Sequence, residues 1–204
     1  MMKSFVAVAV GFFAFVAAAN AGIVGVDVGT GAPPATLGGY TISALPLDLT
    51  PDFTSVGGAP GSPPLSGAIT FSPALDAYTV GASWASWSHG YTGRVYYTGS
   101  ATTATIGLPA STGAFLFYAE PNPFAVWGIT ATADDGTFVT ASVNGSGGAN
   151  GFGFYGTGGT SLASITVTSG VDFAVGEFYG VRVPEPATLT VLALGALSLL
   201  RRRL

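Results

Sequence analysis

The sequence predicts an all-β protein, an antiparallel β-sandwich of jelly-roll-like type. Between residues 22 and 184 glycine, threonine, serine, valine and aromatics dominate, while the strong helix formers lysine, glutamate, glutamine and methionine are almost missing. Short apolar runs recur between glycine, proline, asparagine and aspartate punctuation, the pattern of strands separated by turns. The last third alternates with a period of two: Leu162, Ser164, Thr166 and Thr168 fall on one side, Ser161, Ala163, Ile165 and Val167 on the other.

In chain order the expected strands are 23–28, 40–45, 68–71, 78–82, 94–98, 102–108, 114–118, 125–133, 137–143, 151–155, 161–168 and 172–178. Segments 30–34 and 54–67, rich in glycine, proline and serine, read as loops, and 144–150 as a glycine-serine turn. Asp134-Asp135-Gly136 stands between two strand-like runs and predicts a hairpin turn, glycine supplying the positive φ that tight turns need. Many short strands with no helix between them give a sandwich.

Two flanking segments break this pattern. Lys3 precedes an apolar run from Phe5 to Ala18, and Ala19-Asn20-Ala21 offers small residues at cleavage positions. That is the order of a secretory signal peptide, 1–21, cut before Gly22, and it implies signal peptidase as a partner. At the other end Pro184-Glu185-Pro186 is followed by an apolar run from Leu189 to Leu200 and then by Arg201, Arg202 and Arg203. The prolines hold the acidic element extended, and the arginines suit a cytoplasmic membrane face. From Ala187 to Leu200 a helix would reach about 21 Å at ~1.5 Å per residue, short for a ~30 Å hydrocarbon core unless arginines snorkel and the bilayer thins.

This three-part order resembles the PEP-CTERM sorting tail, handled by exosortases in exopolysaccharide-producing bacteria. The resemblance implies an exosortase as processing enzyme, a sorting tail over 183–204 with a short transmembrane helix, and transient anchoring in the membrane before release to the cell surface or matrix. Segments 117–137 and 161–178 also look like stretches of PEP-CTERM ectodomains, a second resemblance that adds no catalytic residue. One exported domain, 22–182, remains between the two ends, long enough for one sizeable core.

Charge narrows the partners of that domain. Arg94 and Arg182 are its only bases, against nine acids; two minus nine is −7. A lysine-free acidic surface neutralises no phosphates, so nucleic acid is excluded and anionic membrane is disfavoured. Cysteine is absent, so an exported domain must hold together by packing and backbone hydrogen bonds alone.

Catalytic signatures are missing. His89 is the one histidine, and no Gly-x-Ser-x-Gly elbow accompanies it, so it reads as a loop or surface residue. Asp134 and Asp135 are the obvious carboxylate pair, but adjacent residues point apart and a turn role explains them; calcium is conceivable there, without a spaced calcium loop. No metal site or cofactor is expected. A dense aromatic cluster, Trp84, Trp87, His89, Tyr91, Tyr96 and Tyr97, admits two readings. It packs the core, or it offers Trp84, Trp87, Tyr91 and Tyr97 as a sugar-stacking surface; Tyr96 and Tyr97 must in either case face opposite sides. The expectation is a non-enzymatic surface or matrix protein associated with exopolysaccharide. The alternatives are a carbohydrate-binding module and a degenerate glycosidase.

Overall fold

The computed structural model describes residues 21–183. Ala19 of the cleavage site, Pro184, Glu185, Pro186, the apolar segment bounded by Leu189 and Leu200, and Arg201–Arg203 lie outside the described residues. Ala21 is exposed coil, and the first strand begins at Gly22.

Among the described residues the fold is all-β, without a helix, and its strands form a large antiparallel sheet and a small hairpin. The chain runs through β1 (Gly22–Gly29), β2 (Thr36–Leu37), β3 (Tyr40–Thr41), β4 (Ser43–Ala44), β5 (Ser55–Ala59), β6 (Ile69–Thr79) and β7 (Arg94–Tyr97). It continues through β8 (Thr103–Pro121), β9 (Val126–Ala133), β10 (Phe138–Asn144), β11 (Asn150–Thr157), β12 (Leu162–Ser169) and β13 (Phe173–Arg182). The main order is β10-β9-β12-β8-β13-β7-β6-β5, with β11 pairing both β8 and β1.

β8 organises the sheet because it changes partners along its length. Thr103 to Gly107 and, past a register shift, Thr112 pair with β12, and Thr105 to Gly107 also pair with β6; from Ala114 the strand lies between β13 and β11. Pro109 and Ser111 (φ 63°) sit where the β12 register shifts, so the proline's missing N–H costs no ladder bond there. The sequence predicts two strands here, 102–108 and 114–118, with Pro-Ala-Ser-Thr-Gly between them. It likewise predicts 68–71 and 78–82 on either side of Pro73, whereas β6 runs continuously and the proline falls at a register shift against β5. β5 itself lies in the segment read as a loop. Its Ser-Val-Gly-Gly-Ala carries little apolar pattern, and Gly58 is needed because a Cβ there would stand 2.2 Å from the Ile69 carbonyl oxygen. The predicted strand 40–45 is interrupted: Gly38 and Gly39, both at positive φ, turn β2 into β3, and β4 pairs separately with β13.

The Asp134-Asp135-Gly136 turn joins β9 to β10 as expected, with Gly136 at φ 89°. Asp135 accepts the Thr137 N–H at 2.8 Å and the Ile23 N–H at 3.1 Å, which lowers its pKa and ties the turn to β1. Asp134 accepts the Ala163 N–H at 3.0 Å.

From Ala114 onward β8 is buried on both faces, which explains its unbroken apolar run. Phe115, Phe117 and Ala119 face the main core with Phe152, Phe154, Ile129, Ile165 and Val175. Ala114, Leu116 and Tyr118 face a second apolar layer made by the β2–β3 hairpin and by loops, including Leu37, Ile42, Trp84 and Trp87. That second layer positions the candidate site.

Candidate functional site

The connection between β6 and β7, residues 80–93, closes on itself as a compact loop. Val80 N–H donates to Gly93 O at 3.1 Å, Trp84 N–H to Thr79 O at 3.0 Å and Gly81 N–H to Trp84 O at 2.8 Å. Its two indoles turn inward, with Trp84 8% and Trp87 7% exposed. Each donates its ring N–H to a buried glutamate: Trp84 Nε1 to Glu120 Oε2 at 3.0 Å, Trp87 Nε1 to Glu177 Oε2 at 3.1 Å. Of the two readings of the cluster, core packing is the one these two indoles follow: both are buried and anchored on carboxylates, and neither is an exposed stacking platform.

Glu120 lies on β8 opposite Ala174 of β13, whose small side chain leaves room for it. Its other oxygen accepts from the N–H groups of Gly147 (2.8 Å) and Gly148 (3.2 Å) and from the Ser86 hydroxyl (3.3 Å). Burial nevertheless raises its pKa, with these donors opposing the shift. Glu177 occupies a bulge of β13 at φ 53° and is likewise raised by burial, with His89 pulling the other way.

His89 was expected to be a loop or surface residue. It is on the loop and exposed as a residue, as expected, while its side chain, 14% exposed, turns inward; its ring lies 5.0 Å from the Tyr118 ring and its Nε2 is 2.8 Å from Glu177 Oε1. Nδ1 stands 2.9 Å from the Ser88 hydroxyl. The connectivity Ser88–His89–Glu177 matches a nucleophile, base and orienting acid on paper. Ser88 is 2% exposed, however, so its hydroxyl is enclosed within the loop.

Glu120 and Glu177 are the carboxylates that sequence reading missed. Along β13, the partner of Glu120 and Glu177 itself are three residues apart, which sets the two acids on the order of 10 Å apart at ~3.3 Å per residue. Glu120 has four donors, while Glu177 accepts the Trp87 indole N–H and pairs with His89 Nε2. Their signal in the sequence was a lone acid inside each of the most apolar runs, Phe-Leu-Phe-Tyr-Ala-Glu and Phe-Ala-Val-Gly-Glu-Phe.

The aromatic cluster is divided by the sheet as alternation required. Tyr96 enters the main core, stacks on Phe178 at 5.7 Å and donates its hydroxyl to Asp48 at 2.7 Å. Tyr97 points the other way into the second layer. Trp87 packs against Tyr91, and Tyr91 lines a cavity of about 210 Å³ beneath the 44–48 segment with Arg94 and Glu177. Arg94 is committed within the fold: it pairs with Asp52 and donates to Thr50 O. On the far side of the loop Trp84, Tyr97 and Tyr78 form a mutual aromatic trio, with centroids 5.5–6.1 Å apart. They open into a cleft of about 300 Å³ that also includes Ser86, Asn122 and Phe124. Tyr97 donates its hydroxyl to Asp172, which also accepts from Asn122 Nδ2 at 2.8 Å. The sequence-predicted residues thus fall in two places: Trp84 and Tyr97 at the cleft, Trp87 and Tyr91 behind it.

No family model matches the chain, and no curated protein matches it.

Proposed function

We propose that the protein is an exported, tail-sorted surface or extracellular-matrix protein whose β domain, a jelly-roll-like sandwich, associates with exopolysaccharide and performs no chemistry. The observation that carries this reading is the order Pro184-Glu185-Pro186, apolar run, Arg201-Arg202-Arg203, together with the N-terminal signal pattern ending at Ala19 and Ala21. Signal peptidase removes the leader, the tail holds the chain in the inner membrane, and an exosortase cuts at or near the proline-flanked glutamate. The buried acids of the domain support a non-catalytic role, because Glu120 and Glu177 each hold an indole N–H in place. A carbohydrate-binding module is the second reading, favoured by the aromatic cleft at Tyr97.

Replacement of Pro184, Glu185 and Pro186 together by alanine tests the sorting step in the native host. The expected product is a longer species retained in the membrane fraction. A triple variant that matures and leaves the cell as the wild type does would refute the sorting reading.

A further inference from the structure

We infer that the cleft walled by Tyr78, Trp84, Tyr97 and Phe124, with Asn122 and Ser86 at its polar side, is a binding subsite for one ring of a neutral polysaccharide. This inference rests on the matrix-associated reading and assigns it a place on the domain. A sugar ring has an apolar face and a rim of hydroxyls, so its subsite needs aromatic surface beside side chains that donate and accept. The cleft supplies both. Tyr78 and Tyr97 stand edge to face at 5.6 Å and 83°, held by the Trp84 ring whose N–H is fixed on Glu120. Phe124 is 69% exposed beside them, an aromatic ring held at the surface with most of its area in water. Asn122 is exposed and its amide nitrogen is held by Asp172, an arrangement that presets the side chain while its carbonyl oxygen takes no part in that bond.

Charge selects the ligand class. Asp172, Glu120 and Asp52 adjoin the cleft, hydrogen-bonded to Asn122, Ser86 and Ser83 respectively, and Asp76 stands opposite Tyr97 across the β6–β7 pair. The domain's only base apart from Arg182 at its end, Arg94, is paired with Asp52. Uronate or sulfated chains meet repulsion here with no cation to offset it, whereas neutral hexose polymers do not. A single shallow subsite gives weak binding, on the order of 0.1–1 mM, and retention on a polymer comes from many copies acting together.

Affinity electrophoresis of the full chain in mild detergent, through gels containing dextran, glucomannan or alginate, tests this. The expected result is retardation by at least one neutral polymer and none by alginate. Phe124→Ala and Asn122→Ala should each weaken that retardation at least fivefold, with melting temperatures close to wild type because both side chains are exposed. Phe138→Ala, 66% exposed at the opposite end of the β9–β10 hairpin, should change nothing. No retardation by either neutral polymer, equal retardation of all variants, or stronger retardation by alginate would overturn the inference. Normal export and tail maturation of the same variants would then leave the sorting reading standing, which separates the two failures.

Discussion

Alanine at Trp84 is expected to lower the unfolding free energy by about 3–5 kcal/mol, the range for emptying a buried large aromatic. Trp87→Ala should cost a similar amount, since that indole is equally buried and equally hydrogen-bonded. Two losses combine: contacts with Tyr78 and Tyr97, or with Tyr91, and the N–H that each glutamate accepts. Trp84→Phe separates them. Phenylalanine keeps most of the apolar contact but leaves Glu120 Oε2 short of its donor, so it should cost about 1–3 kcal/mol. Urea unfolding at constant m-value measures all three. If both alanine variants stayed within about 0.5 kcal/mol of wild type, the range of ordinary surface substitutions, the indoles would be surface groups and the inward-facing loop would be wrong.

Glu120→Gln is expected to be the second costly change despite its unchanged size. Four donors converge on the carboxylate, from Trp84, Ser86, Gly147 and Gly148. A carboxamide turns one of its two terminal atoms into a donor, so at least one of the four loses its acceptor, at about 1–3 kcal/mol for each donor left unmet. The pH dependence carries a definite sign. Burial raises the folded pKa of Glu120 above its ordinary value, so the folded state takes up the proton before the unfolded chain does. The carboxyl therefore contributes most to stability below the ordinary glutamate pKa, and that contribution is lost as pH rises through the raised folded value. The stability of wild type over Glu120→Gln should accordingly be largest at the acid end, shrink through that window and then level off. A gap that widens with rising pH would mean that the four donors outweigh burial and hold the carboxyl low.

The outer strands of this fold were legible in the sequence because their burial is one-sided. β10 alternates exposed and buried from Phe138 to Asn144, and the Asp-Asp-Gly turn before it is written in residue chemistry that acts locally. β5 was not legible, because what makes Ser-Val-Gly-Gly-Ala a strand is the close approach of Ile69 to Gly58, a contact supplied by another part of the chain. Pro73 and Pro109 misled for a related reason. A proline breaks a strand only where a ladder bond is required, and both stand at register shifts.

The candidate site was half legible. The density of rings at 84–97 located the loop, and alternation placed Tyr96 and Tyr97 on opposite faces. Which tryptophan face would be exposed depended on Glu120 and Glu177, carboxylates distant in sequence that draw the indoles inward. The cleft depended on Tyr78, Asn122 and Phe124, contributed from the end of β6 and from the segment after β8. No local pattern links those residues to the cluster; only the pairing of β6 with β7 and the length of β8 bring them together.

Sorting by the two chain ends is the central claim, and the intact mass of the protein recovered from the native host's surface and matrix tests it most directly. The mass should correspond to a chain that begins at Gly22 and ends at or near Pro184-Glu185-Pro186, with any attached group visible as a discrete increment. A mature protein that retains the leader, or that still carries the apolar run and Arg201–Arg203, would contradict it.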